Sequence, residues 1–289
     1  MDFGKLIKDS RIQVAATLFV IWILAVVWHF RTLNSFLYPL ISIGVVTVSD
    51  VAITWIRYKK KYFPASSFVT GLLIGLILSP TEPFWVIIVA ALIASISKQF
   101  IALGPRRHIF NPAAFGIVVT SLIFRAPVAW WAVSWSRIPI IILVGAMAYI
   151  LWKVKRFYLP IAFLAVYFVV LVYQSGLNEA LAILLDGTVA LFALVMLPEP
   201  ITSPVVGEFK ILFGVIVAVL SIIFSQSLLN RLVNDAFLPA LLVGDLIAFL
   251  SIKYKDKLLA WENQIFNKSG LKAAGDSPNS KKDKGASTG

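Results

Sequence analysis

The sequence predicts an all-α polytopic membrane protein, about ten transmembrane helices in two inverted five-helix repeats. Three observations lead there. Of 289 residues, 60% are hydrophobic and 14% charged, and the mean hydropathy is +0.89. Soluble domains run at about 45–50% apolar and about 25% charged. The apolar residues gather into ten runs separated by polar or proline-bearing breaks. Finally, two segments 118 residues apart repeat one pattern of Thr, Pro and Glu-Pro. The composition excludes an ordinary soluble enzyme and a disordered chain. With no cysteine, disulfides, iron–sulfur ligation and thiolate chemistry are excluded, and two histidines, His29 and His108, are too few for a multi-histidine haem or zinc site.

The opening MDFGKLIKDSR is amphipathic and enters the first run without a small-residue cleavage pattern, so no cleavable signal is expected. The runs centre on 12–29, 36–56, 65–79, 84–100, 110–124, 138–152, 158–174, 179–197, 209–226 and 236–252. Several hold about 15 residues where a full span needs about 20. Short runs that end at proline predict broken or re-entrant helices. Residues 1–11 form a cytoplasmic N-terminus, 12–124 the first repeat and 125–252 the second. Residues 253–289 form a cytoplasmic tail whose Gly, Ser, Lys, Asp and Asn content predicts disorder from about residue 265. With the N-terminus inside, 22 of the 26 Lys and Arg lie on the cytoplasmic side and only Arg31, Arg125, Arg137 and Arg231 lie outside. That asymmetry satisfies the positive-inside rule with both termini cytoplasmic, so the net charge of +12 is no nucleic-acid footprint.

The repeat is read from SFVTGLLIGLILSPTEP at 67–83 and LDGTVALFALVMLPEP at 185–200. Thr70 precedes Pro80, and Thr188 precedes Pro198, by ten residues each, and each segment then delivers Glu-Pro, at Glu82-Pro83 and Glu199-Pro200. A long apolar run follows each, and then a proline-initiated one, FNPAAFG at 110–116 and FLPALLVG at 237–244. Five spans is an odd number, so the halves enter the membrane in opposite senses, with Glu82 outside and Glu199 inside. Inverted repeats place their functional site near the midplane between the halves.

Asp50, Asp186 and Asp245 fall inside the runs, where an ionised carboxylate is costly unless functional, neutralised or paired. Asp50 and Asp245, mid-run, read either as an ion or proton path and polar midplane, or as acids beside a crevice. Asp186 reads as an acid near an interface. No Lys or Arg inside the membrane is expected to pair with them. The stretch from Lys98 to Gly116 turns through Gly104-Pro105, carries Arg106, Arg107 and His108, and enters a helix at Asn111-Pro112. Asn is a good N-cap and Pro a good first-turn residue. A helix N-terminus below a cationic loop suits an anionic or electron-rich ligand, although a capped helix beside ordinary inside charges has the same pattern. Trp130, Trp131 and Trp135 read as an interfacial aromatic belt.

Together these motifs resemble the RnfD/NqrB family, the large membrane subunits of the Rnf and sodium-pumping NADH:quinone redox complexes. The resemblance rests on Thr70 through Pro83, on Lys98, Phe100, Gly104 and Phe110-Asn111-Pro112-Ala113, and on Glu199-Pro200-Ile201-Thr202-Ser203-Pro204. It covers roughly residues 35–252. It implies inverted five-span repeats, a prokaryotic plasma (inner) membrane location and a flavoprotein in an electron-transfer chain. Members with covalent FMN carry Ser/Thr-Gly-Ala-Thr on an external loop after Phe-Asn-Pro. Here that region reads APVAWWAVSWSRIPIII, so no covalent flavin attachment is expected. The usual Gly-Gly is replaced by Ile101-Ala102, and His108 stands where members often have Asn.

The expected function is a membrane electron-transfer protein, which could belong to an ion-translocating oxidoreductase complex. It would bind riboflavin or FMN non-covalently near Lys98, Arg107, His108, Phe110, Asn111 and Thr70. No catalytic residue and no metal site are expected. Its partners would be a cytoplasmic redox protein or reductase, other membrane subunits and the lipid bilayer, with no nucleic acid. The alternative is a small-solute or ion transporter or channel on the same fold, with Asp50 and Asp245 lining its path.

Overall fold

The structure is a computed structural model and describes residues 8–59, 63–104, 107–203 and 209–268. Pro105, Arg106, Pro204 and the tail beyond residue 268 lie outside the described residues, and with them the expectation of a disordered tail.

Every predicted apolar run folds as helix. The chain forms α1 (Ser10–Trp28), α2 (Leu33–Tyr58), α3 (Ala65–Ile77), α4 (Phe84–Phe100), α5 (Pro112–Phe124) and α6 (Ile138–Lys153). It continues as α7 (Tyr158–Ser175), α8 (Leu177–Leu184), α9 (Gly187–Leu191), a π-helical turn (Phe192–Met196), α10 (Phe209–Ser225), α11 (Leu228–Val233) and α12 (Phe237–Lys268). Among the described residues no strand forms, only two isolated bridges, Leu78 with Val128 and Ala102 with His108. Residues up to Phe249 make one compact unit; those from Leu250 make a second, whose described part is the remainder of α12.

The fold is that of an all-α polytopic membrane protein. Ser10–Trp28, Leu33–Tyr58 and Tyr158–Ser175 are long and apolar enough to cross a membrane, and Leu177–Leu184 with Gly187–Met196 makes a bent pair, 55° at its break. Six further apolar helices have 10–17 residues. Large apolar side chains remain exposed along these helices, among them Val48, Ile141, Val169 and Tyr173. In water such continuous apolar surface would drive association; facing lipid it is at home.

The shortness of α3 has a local cause. The chain leaves the helix at Leu78 in an extended conformation ahead of Ser79-Pro80, as expected of a residue run into proline. The freed carbonyls at the end of α3 are not left bare. Ile77 O accepts the N–H groups of Ala129 (2.9 Å) and Trp130 (3.0 Å), and Leu76 O accepts that of Ala132 (3.5 Å). The segment after α5 thus folds back to close the broken helix, in a setting without water to do so. Trp130 takes a left-handed backbone (φ 47°) there.

Close helix approach relies on small residues. A Cβ on Gly71 would lie 2.6 Å from Ile43 Cα, and one on Gly75 would lie 2.5 Å from Pro39 Cα. Their Gly-x-x-x-Gly spacing puts both on the α2 side of α3, which is how membrane helices gain contact when lipid supplies no hydrophobic drive. At the start of α9, a Cβ on Gly187 would lie 1.9 Å from Val133 O. The buried core runs from Trp22, Tyr38 and Leu76 through Ile117 to Phe163, Phe192 and Leu241.

The tryptophan expectation fails. Trp130 and Trp131 are buried, and their indole N–H groups donate to Asp235 Oδ2 (2.7 Å) and Gly75 O (2.9 Å). Trp135 is partly buried and stacks on His29. Two of the three therefore tie loops to the helix core instead of anchoring an interface. Asp186 caps α9, accepting the Thr188 N–H at 2.7 Å, which is why it sits where a run was drawn through it.

Candidate functional site

Helix α3 and the second proline break bound one cavity. Ser66, Thr70 and Leu73 of α3 line it on one side, and Pro198, Glu199 and Ile201 after the π-helical turn line it on the other. The N-terminal turn of α5 (Asn111, Pro112), α6 (Met147, Ile150) and the start of α1 (Ser10, Arg11) complete the wall. Most of this lining is apolar, with a few polar groups at set places, as a binding slot for a flat organic ligand requires.

Each polar group is held by its own element. Asn111 caps α5, its Oδ1 accepting the Ala114 N–H at 3.0 Å, and its own backbone N–H donates to Asp245 Oδ2 of α12 at 2.8 Å. Asp245 is thus placed at a helix N-terminus, where the exposed N–H groups favour negative charge. Asp245 Oδ1 is buried without a hydrogen-bond partner. Thr70 donates back to Ser66 O at 3.0 Å. Glu199 is positioned from behind: Arg156 Nη1 donates to Glu199 O (3.4 Å) and Nη2 to Pro200 O (3.1 Å), while Ser203 Oγ donates to Glu199 O (2.6 Å). The Arg156 guanidinium also reaches Ser203 Oγ. The Glu199 carboxylate turns to His108, with Oε1 3.1 Å from Nε2.

A second polar cluster stands one residue behind the wall. Lys98 Nζ lies 2.7 Å from Asp50 Oδ2, the side chains being 8% and 0% exposed. Lys98 also donates to Ser66 Oγ at 2.8 Å, Ser67 donates to Asp50 Oδ2 at 2.5 Å, and Gln99 Nε2 donates to Asp50 Oδ1. The expectation that no basic residue pairs the buried acids is therefore wrong for Asp50. Lys98, drawn at the inner end of its run, reaches back along α4, and such a paired, hydrogen-bonded charge is the form in which an ionised group tolerates burial.

Of the predicted ligand residues, Thr70 and Asn111 line the cavity, His108 reaches it through Glu199, and Lys98 reaches it through Ser66. Phe110 stacks on Phe115 with ring centroids 5.5 Å apart, and Arg107 is exposed; neither lines the cavity. Asp50 and Asp245 are both fully buried; Asp50 connects to the cavity-lining Ser66 through Lys98, and Asp245 accepts directly from the cavity-lining Asn111. Sequence reasoning missed Glu199 as a cavity carboxylate and Arg156 as its support. The signal for Glu199 was present in Glu-Pro itself; the signal for Arg156 was its spacing of 118 residues from Tyr38, whose hydroxyl donates to Glu82 O and Pro83 O in the first half. Among the described residues no group of three His, Cys, Asp or Glu side chains could hold a metal ion.

Comparison with known proteins finds relatives of part of the chain. Residues 4–137, which reach from the N-terminus past α5, match the NQR2, RnfD, RnfE family. The D subunit of the ion-translocating oxidoreductase complex of Cronobacter sakazakii is 28% identical over 127 residues, 43% of this chain and 36% of that protein. Its counterpart from Buchnera aphidicola is 34% identical over 73 residues, 25% of this chain and 21% of that protein. The counterpart from Methanosarcina acetivorans is 24% identical over 230 residues, 73% of this chain and 78% of that protein. The chain matches only about a third or less of the length of the first two relatives. Thr70, Lys98, His108 and Asn111 all fall in the stretch that matches the NQR2, RnfD, RnfE family.

Proposed function

We propose that this chain is the RnfD-type membrane component of an ion-translocating oxidoreductase complex, relaying electrons from a cytoplasmic donor to or across the membrane through a non-covalently held flavin, riboflavin or FMN. The observation that carries the reading is the cavity between α3 and the second proline break, lined by Thr70 and Asn111 from the family-matched stretch and Glu199 from the second half. The relatives' designation, the D subunit of an ion-translocating oxidoreductase complex, supports the setting. In this reading the chain sits in a prokaryotic inner membrane as two inverted halves with both termini cytoplasmic. Other membrane subunits and a cytoplasmic reductase are its partners.

The residues present fit such a group. Leu73, Met147, Ile150 and Val195 offer flat apolar contact, and Thr70, Asn111 and Glu199 offer edge polarity. A flavin supplies one- and two-electron chemistry that no side chain here can. The chain's own part is to hold the ring between α3 and α6, to exclude water with apolar walls, and to present oriented polar groups to its edge. Lys98, through Ser66, adds positive charge behind one wall. The test is direct: the purified full chain is expected to be yellow and to release free flavin on acid denaturation. Colourless protein that releases none overturns the reading.

A transporter on the same fold draws support from Asp245, a fully buried carboxylate that meets the cavity-lining Asn111. Substrate uptake by flavin-free proteoliposomes, lost in Asp245→Asn, would favour it.

A further inference from the structure

Two charged side chains line the cavity, Arg11 at the start of α1 and Glu199 after the second proline break. Glu199 has its counterpart in place, with Oε1 3.1 Å from His108 Nε2. Arg11 does not. Its side chain is exposed, and among the described residues its guanidinium has no hydrogen-bond or ion-pair partner. The acid nearest in sequence, Asp9, is engaged by the backbone: its Oδ1 accepts the Arg11 N–H at 2.9 Å and caps α1. Other cations near the cavity are already matched. Lys98, behind Ser66, lies 2.7 Å from Asp50, and Arg156 serves the carbonyls of Glu199 and Pro200. Lys153 Nζ, in the last turn of α6, adds positive charge at the Arg11 end, fixed there by Lys8 O (2.6 Å) and Gln13 Oε1 (3.2 Å). Farther in the wall changes character. Leu73 and Met147, buried about two turns inside α3 and α6, are apolar. The cavity is thus amphiphilic, cationic at one end and apolar at the other.

We infer that Arg11 selects the phosphorylated flavin, FMN, over riboflavin by binding its terminal phosphate at the start of α1 while the ring lies against the apolar wall. This inference rests on the flavin reading and deepens it. The guanidinium fork matches two phosphate oxygens at once. Riboflavin ends in a neutral hydroxyl at the same place and gains neither the charge nor the fork. Because Arg11 is exposed, the ion pair is screened by salt, a signature that packing of the ring lacks.

The experiment titrates the flavin-depleted full chain in phosphatidylcholine nanodiscs with FMN and with riboflavin, followed by flavin fluorescence. Wild type is expected to bind FMN about tenfold more tightly than riboflavin at low salt, the lower range for a hydrogen bond to a charged group. The ratio is expected to shrink as salt rises. In Arg11→Gln the FMN affinity is expected to fall to that of riboflavin, and in Arg11→Lys, which keeps the charge without the fork, to fall between. Riboflavin binding by each variant reports that the cavity still forms, and the wild-type comparison needs no substitution. Equal wild-type affinities, or a ratio indifferent to Arg11→Gln, overturn the inference and leave the flavin reading intact. Binding of neither flavin overturns the flavin reading itself. A phospholipid headgroup is the other source of phosphate at this place. In mixed phosphatidylcholine–phosphatidylglycerol discs the FMN affinity ratio of wild type to Arg11→Gln is expected to persist; its disappearance gives the guanidinium to lipid and overturns the inference.

Discussion

Tyr38 and Arg156 stand 118 residues apart, the spacing that also separates Thr70 from Thr188 and Pro80 from Pro198. Each reaches the carbonyls of the Glu-Pro pair in its own half, Tyr38 those of Glu82 and Pro83, Arg156 those of Glu199 and Pro200. The two halves thus meet the same need, orphan carbonyls at a broken helix, with different donors. A phenol offers one neutral hydrogen bond. A guanidinium offers a charged fork that reaches several carbonyls at once. Only that second break sends its carboxylate into the cavity. The helix caps differ in the same sense: Asn111 caps α5 through Ala114 N–H, and the ionisable Asp235 caps α12 through Leu238 N–H at 2.7 Å. The buried Asp50–Lys98 pair runs the other way. It belongs to the first half, while α7 and α10 hold no carboxylate and, at their start, only Lys210. Duplicated scaffolds can share backbone architecture while dividing their charges between halves.

The largest effect is expected from the charge that only one half has. Lys98→Met leaves Asp50 buried without its cation and is expected to cost about 3–5 kcal/mol. Chemical unfolding in mild detergent measures it, and Asp50→Asn combined with Lys98→Met should recover a good part of the loss. Next, Arg156→Met removes the donor to Glu199 O, Pro200 O and Ser203 and is expected to cost about 3 kcal/mol. If it cost no more than the phenol of the other half, the distinction between the two breaks would collapse.

Asp235 supplies a pH test. Burial raises its pKa from 3.8 to about 6, against the lowering effect of hydrogen bonds from Leu238 N–H and Trp130 Nε1. The folded state therefore holds this proton more tightly than the unfolded chain. Stability from this group is expected to fall as pH rises from about 4 to about 6, by at most about 3 kcal/mol. Asp235→Asn makes the second cap like the first and should flatten that slope in thermal unfolding followed across the same range. A slope unchanged by the substitution would assign it elsewhere. The smallest effect is expected from Tyr38→Phe, about 1 kcal/mol for one neutral hydrogen bond. Its measurement beside Arg156→Met sets the ratio between the halves.

Much of the helical layout was legible because hydropathy in a membrane protein reports on each segment alone. The runs at 84–100 and 158–174 agree with Phe84–Phe100 and Tyr158–Ser175 almost to the residue. The run at 179–197 did not show its break at Asp186, since a capping acid and a buried acid look alike in one dimension. The site was legible in part. Asn111 and Thr70 were found because capping and repeat geometry are local in sequence. The links Asp50 to Lys98 and His108 to Glu199 span 48 and 91 residues, so only packing could reveal them. Trp130 and Trp131 were misread because composition cannot tell an interfacial indole from one whose N–H is consumed inside.

Gly187 joins these observations mechanically. Its backbone presses on Val133 O, and the turn that holds Val133 closes the end of α3 through Ala129 and Trp130. No side chain cushions that contact. The two broken helices are therefore geared through bare main chain, and a shift of one must be taken up by the other. A single methyl group at position 187 would act as a wedge whose effect is read in the opposite half.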